Sequence, residues 1–360
     1  EHAATSMRDA LRAAQAGLVE RDVVVELVAL SAGAREHLLV SGPPGTAKSE
    51  AVRRTARALG GTLFEYLLGR FTEPSEIFGP VDLQRLREGV VETATAGMLP
   101  EADVAFLDEV FLGSTAILNT LLALLNERTF RRGHTALHVP LRVCVGASNA
   151  LPDDTTLAAF ADRFLLRVFV EPVPDPLLED LLAGGRMLDT SASTSTTSSL
   201  TSLDVLSAAA FNADTSAVRP ALADAVRALR AAGVPLSDRR VVKLQRLAAA
   251  AAALAGRATP TTADLWPIVY AVPTREAQDT AREALGDLLQ ASDSTALAHA
   301  ALEASEGPRA RARLLAEAGR TLLAEAAADA MWRRKAEGIL REIDAAFDVD
   351  ALPVELAEVR

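Results

Sequence analysis

The string Gly42-Pro43-Pro44-Gly45-Thr46-Ala47-Lys48-Ser49 constrains this chain more than any other feature. It follows an apolar, strand-like run, His37 to Ser41, and opens a stretch with helical spacing, Ser49 to Leu59. That context turns a glycine-rich string into a phosphate cradle. The first N–H groups of a helix have no partner within it and point, with the helix dipole, at an anion. Gly42 and Gly45 permit close approach and unusual dihedrals. Lys48 is expected to reach the β- and γ-phosphate oxygens, and the Ser49 hydroxyl to coordinate Mg2+. The contact set runs from Gly42 through Glu50. Ala47 stands where the general pattern has glycine, which predicts helical geometry there with its methyl turned from the phosphates.

About sixty residues on, Val104-Ala105-Phe106-Leu107-Asp108-Glu109 reads as an apolar strand ending in two carboxylates. Asp108 is expected to hold the metal through Ser49 and water, and Glu109 to orient and deprotonate an attacking water. Asn149, at the tip of another strand candidate, offers an amide for that water or for the γ-phosphate. Arg163, in Asp162-Arg163-Phe164, offers a cation for charge that develops in phosphoryl transfer. Ser237-Asp238-Arg239-Arg240 reads as a capped helix start whose arginine can report on the γ-phosphate.

The first 170 residues alternate short apolar runs with helical stretches, the pattern of an α/β fold with a parallel sheet flanked by helices. Strands are expected at 37–41, 62–66, 104–108, 141–148 and 165–170, and a helix at 114–127 with its apolar stripe on the sheet. The segment 69–101 is too long for a simple connection and predicts a structured insertion. The prolines at 172, 174 and 176 break the pattern and place a boundary near 172. An all-helical part follows at 173–274, with a flexible Ser/Thr loop at 190–202, and a helical extension at 275–360.

Composition removes several alternatives. The chain carries a net charge of -11 over 360 residues, which argues against a general nucleic-acid surface. The single cysteine, Cys144, cannot form an internal disulfide and lies in an apolar run, as a buried strand residue does. No apolar run approaches the roughly 20 residues a membrane helix needs, and the N-terminus lacks a secretion signal. A cytoplasmic location is expected.

These strings, with Phe71-Thr72-Glu73-Pro74-Ser75-Glu76-Ile77-Phe78-Gly79-Pro80, Ile117-Leu118-Asn119-Thr120-Leu121-Leu122 and Asn126-Glu127-Arg128-Thr129-Phe130, resemble the MoxR family of AAA+ ATPases over residues 8 to 272. The alanine before Lys48 resembles its RavA-type branch. The resemblance implies an AAA+ P-loop core, an all-α lid, and ATP and Mg2+ as ligands. It implies Asn149 as first sensor and Arg163 as the finger acting on a neighbour's nucleotide, with Arg167 as the alternative. It makes Arg239 the second sensor, with Arg240 as the alternative. The segment Val19-Glu20-Arg21-Asp22-Val23-Val24 resembles the stretch that lines the adenine pocket, through backbone contacts, and Asp22 and Val23 are carried over from it. The insertion matches one that projects toward a central pore. A homo-hexamer that remodels a partner protein with a von Willebrand factor A domain is implied by similarity alone. A nucleotide-gated scaffold with little turnover is a second class, and a nucleic-acid motor a third that the acidic balance disfavours.

Overall fold

The computed structural model describes residues 1–152, 154–190, 200–292, 294–324, 330–347 and 352–356. The Ser/Thr loop expected at 190–202 lies outside the described residues from 191 to 199.

Among the described residues there are seven strands, β1 (Leu38–Ser41), β2 (Leu63–Leu67), β3 (Val104–Asp108), β4 (Thr129–Arg132), β5 (Thr135–His138), β6 (Val143–Ser148) and β7 (Leu166–Phe169). Five form one sheet in the order β2-β3-β6-β1-β7, every neighbour pair parallel. All five are the strands expected from sequence, within two residues at each end. The remaining pair, β4 and β5, is an antiparallel hairpin.

Period-two alternation splits the sheet's side chains between two apolar layers. Leu38, Val40, Val104, Phe106, Val143, Val145, Leu166 and Val168 face one layer, while Leu39, Ala105, Leu107 and Cys144 face the other. The first layer is covered by α1 (His2–Gln15), α2 (Asp22–Ala34) and α3 (Lys48–Leu59). Gly60, in the left-handed region at φ 76°, ends α3 and returns its N–H to the last turn, the usual glycine stop.

The insertion carries α4 (Pro74–Phe78) and α5 (Leu83–Arg87). Glu73 and Glu76 close a capping box around the first turn of α4, which satisfies two otherwise unpaired N–H groups. Phe78 stacks on Phe130 of the hairpin at 5.6 Å between centroids, so insertion and hairpin pack together under the second layer. The main helix of that layer is α6 (Thr115–Glu127), capped by Ser114, and α7 (Thr155–Ala161) precedes β7.

Beyond β7 the described structure is helical, as expected: α8 (Leu178–Thr190), α9 (Leu200–Asn212), α10 (Arg219–Ala231), α11 (Asp238–Leu254), α12 (Arg275–Ala284), α13 (Gly286–Gln290), α14 (Ala298–Glu306), α15 (Pro308–Ala324) and α16 (Ala330–Ala346). Residues 262–264 and 266–271, within the part expected to be all-helical, form short 3-10 turns, because Pro267 has no N–H for an α-helical bond. In α11 the run Leu247 to Leu254 is wholly buried; its alanines let the helix approach α2 closely, with Gly33 against Leu254 and Ala250. One apolar cluster runs from α1 to α14, while α15 and α16 share a separate one built on Ala312, Leu315, Leu322, Ile339 and Ile343.

Candidate functional site

In a parallel sheet the ligand crevice lies outside the carboxyl ends of the strands. There β1 runs into the loop Gly42–Ala47, β6 into Asn149 and β3 into Glu109. Since β6 pairs with both β1 and β3, Asn149 sits between the loop and the acidic pair.

Gly42 donates to Ser148 O at 3.1 Å. A Cβ on Gly42 would lie 2.2 Å from the Val170 carbonyl oxygen, so only glycine fits. Gly45 has φ +78° with nothing within 4 Å of a built Cβ, an open cradle. Pro43 and Pro44 are exposed and stiffen its rim. The Thr46 hydroxyl donates to Pro43 O at 2.9 Å. Ala47 departs from the helical geometry expected of it: φ is 56° and ψ 24°, in the left-handed region. It is the residue through which the loop turns into α3, a turn that costs a side-chain-bearing residue roughly 1–2 kcal/mol.

Lys48 Nζ donates to Gly42 O at 2.7 Å and Pro43 O at 2.8 Å, so the ammonium rests on the carbonyls of its own loop. Burial lowers its pKa below the ordinary lysine value, and the charges of Asp108 and Glu109 oppose that shift. The same two carboxylates therefore lie in its field. Burial, reinforced by Asp108, pushes the Glu109 carboxyl up from its ordinary value, while Lys48 pulls it down. Glu109 also has φ +49°, and Asn149 Nδ2 donates to its Oε1 at 2.6 Å. The Glu50 carboxylate pairs with Arg53 at 3.3 Å and Arg54 at 3.5 Å, which leaves its backbone N–H as the group available to phosphate.

Ser49 and Asp108 offer a hydroxyl and a carboxylate, the hard oxygen donors that Mg2+ takes together with phosphate oxygens. No group of three or more His, Cys, Asp or Glu side chains that could hold a metal ion occurs among the described residues.

Arg21 was not singled out from sequence, yet it ties the site together. It is 3% exposed, and its Nε donates to Thr46 O at 2.6 Å while Nη2 donates to Glu171 O at 2.7 Å. Val23 lines a cavity of about 520 Å3 beside it; Asp22 is not among the lining residues.

The arginines lie elsewhere. His37, just before β1, contacts Leu125 O near the end of α6, and Arg239 donates to the next residue, Asn126. His37 and Gly42 lie at opposite ends of β1, which separates this place from the phosphate loop by roughly 15 Å. Arg239 therefore does not reach the loop of its own chain. Arg163 precedes β7 at the same remote edge of the sheet. Its Nε is buried without a hydrogen-bond partner among the described residues. The two alternatives, Arg167 and Arg240, are buried and held by internal contacts. Arg167 is 6% exposed, donates to Pro273 O at 2.7 Å, and has its pKa lowered to about 10 by burial. Arg240 is 2% exposed and donates to Asp162 at 2.6 Å and to the carbonyls of Phe164, Leu165 and Ala271 at 3.1, 2.9 and 2.7 Å. It straps the start of α11 to the segment that carries Arg163.

The sheet order, the loop on β1 and the acidic end of β3 define a P-loop nucleotide-binding core of the AAA+ kind. The chain belongs to the MoxR family of AAA+ ATPases: residues 5–208 match the family described as the MoxR domain in the MoxR-vWA-beta-propeller ternary systems. It is 36% identical over 248 residues to the uncharacterized protein MJ0079 of Methanocaldococcus jannaschii, covering 69% of this chain and 64% of that one. It is 41% identical over 156 residues to MJ0812 of the same organism, covering 43% of this chain and 42% of that one. The chain thus spans less than two thirds of these relatives' length. A crystal structure of a candidate ATPase from Cytophaga hutchinsonii shares the fold with a TM-score of 0.65 at 16% identity, over 82% of this chain and 96% of that one.

Proposed function

We propose that this chain hydrolyses ATP in a Mg2+-dependent reaction and uses the energy to remodel or activate a partner protein. The observation that carries the reading is the meeting of Lys48, Asp108, Glu109 and Asn149 at one end of the sheet. Backbone N–H groups of the loop and the Lys48 ammonium bind and orient the β- and γ-phosphates. Ser49 and Asp108 would hold Mg2+ together with the phosphate oxygens, and the ion would supply charge neutralisation there. Glu109 takes the proton of the attacking water, and Asn149 holds Glu109 in place. A carboxyl with a raised pKa is the better proton acceptor for this step.

Arg163 and Arg239 lie far from their own loop, which supports a site completed by a neighbouring subunit. We read the assembly as a homo-hexameric ring, with Arg163 as the finger and Arg239 acting on the neighbour's nucleotide. The parts 1–172, 173–274 and 275–360 would serve as nucleotide core, lid and extension, with 69–101 facing the pore. The matched family's description supports a partner with a von Willebrand factor A domain. Ala47 supports a RavA-type assignment within the family, whereas the matched family supports the ternary-system type, which we adopt. Among the described residues no helix is long and apolar enough to cross a membrane, and the acidic composition favours a protein partner in the cytoplasm over nucleic acid.

Mixing two inactive chains tests the shared site. Glu109→Gln and Arg163→Ala proteins should each lack ATPase activity, and mixed rings should recover part of it, since some interfaces then pair an intact Glu109 with an intact Arg163. No recovery in verified mixed assemblies counts against an inter-subunit site.

A further inference from the structure

The Arg240 guanidinium makes four hydrogen bonds within its own chain: Nε to the Asp162 carboxylate, Nη2 to Phe164 O, and Nη1 to Leu165 O and Ala271 O. A guanidinium carries five N–H donors in one rigid plane, so this one is nearly saturated and keeps no fork for a phosphate. Two of its acceptors, Asp162 and Phe164, are the residues on either side of Arg163. The residue before it on α11 is Arg239. One enclosed side chain therefore grips both flanks of the first arginine and shares a helical turn with the second.

Other contacts close the frame around this fork. The Phe164 ring is fully buried and lies against β6, where a Cβ on Gly146 would come within 2.9 Å of it. It also meets Phe160 edge-on at 5.6 Å between centroids. The segment that carries Arg163 is thus wedged between the sheet and Arg240. Successive side chains on a helix diverge by about 100°, so with Arg240 turned inward Arg239 is directed elsewhere, and it donates to Asn126 at the end of α6. A slide of α11 against residues 162–165 would break the charge-assisted bond to Asp162 and strip the carbonyls of their donor.

We propose that Arg240 is a positioning residue, which holds Arg163 and Arg239 in one fixed arrangement so that both meet the neighbouring subunit's nucleotide together. A group that acts on a transferring phosphoryl works only when held to within about 0.5 Å of its place. Arg163 belongs to the sheet part and Arg239 to the helical part, and the fork makes the two move as one. This rests on the reading of Arg163 and Arg239 as acting across a subunit interface.

Two variants of the full chain separate positioning from folding. Asp162→Ala removes a side chain that is 39% exposed and leaves Arg240 its three carbonyl acceptors, so the chain is expected to fold. Arg240→Lys keeps the charge and loses the fork. Each should lower kcat about 10-fold or more, with ATP affinity changed less than about twofold. Each is then mixed with Glu109→Gln, whose arginines are intact. Since the fault lies in what a chain presents to its neighbour, activity per chain should rise above that of the unmixed variant; mixing with Arg163→Ala, which fails on the same face, should give no rise. Unchanged kcat in both folded variants overturns the proposal. So does a loss of kcat that Glu109→Gln cannot raise while the Glu109→Gln and Arg163→Ala pair does recover, because a fault in the chain's own nucleotide site behaves that way. When that pair itself recovers nothing in verified mixed assemblies, the inter-subunit reading fails and this inference fails with it.

Discussion

Asn149 donates through Nδ2 to Glu109 Oε1 at 2.6 Å, linking the tip of β6 to the residue after β3 across the mouth of the phosphate loop. Glu109 sits at φ +49°, a region that a side-chain-bearing residue leaves readily unless held. Asn149→Ala should lower kcat about 100-fold, in line with the loss of one placed donor, and change ATP affinity less than threefold. Single-turnover hydrolysis beside equilibrium binding separates the two effects; a loss confined to affinity would refute the positioning role.

Ala47 takes the left-handed turn at φ 56°, where glycine is relieved of strain at some cost in chain entropy. Ala47→Gly should raise stability by about 0.5–1 kcal/mol in urea denaturation without weakening nucleotide binding. A destabilised variant would mean that the methyl makes contacts worth more than the strain.

Much of this site was legible in the sequence, and its gaps have physical causes. The five sheet strands showed because each is a short apolar run bounded by turn residues, and Lys48, Ser49, Asp108 and Glu109 showed because fixed offsets from strand ends place them. The hairpin at Thr129 to His138 was missed: its pattern is mostly polar, with Phe130 as the one buried anchor. Arg21 lay within the segment that resembles the adenine-pocket stretch, but its bridging role was not legible, because its partners are backbone carbonyls 25 and 150 residues away, which leave no trace in side-chain pattern. Arg239 and Arg240 are neighbours in sequence, and only packing decides that Arg240 is enclosed while Arg239 reaches toward Asn126.

That enclosure has a measurable consequence. Arg240→Ala would leave the carbonyls of Phe164, Leu165 and Ala271 without their donor. The loss should be about 2–4 kcal/mol of stability by chemical denaturation. A change below 0.5 kcal/mol would show that water replaces the guanidinium there.

His37 is buried between the Cys144 N–H, which donates to Nδ1 at 3.0 Å, and Leu125 O, and burial holds its pKa well below the ordinary value. The folded state thus refuses a proton that the unfolded chain accepts below a pKa of about 6.5. Stability from this group is complete above that pH and falls as pH drops below it, by up to about 1.4 kcal/mol per unit. His299, whose pKa is raised by Glu26, acts in the opposite sense. Comparing wild type with His37→Gln at pH 7.5 and 5.5 isolates the effect: the acid-side loss should shrink in the variant, and an identical loss would rule His37 out as its source.

On the proposed reading, Glu109 activates the water that attacks bound ATP. Phosphate release in the presence of Mg2+ should be measured for wild type and Glu109→Gln, with ATP affinity measured in parallel. Turnover is expected in wild type, with a loss of at least about 100-fold in the variant and near-equal ATP affinity. Hydrolysis at the wild-type rate by the variant would contradict it.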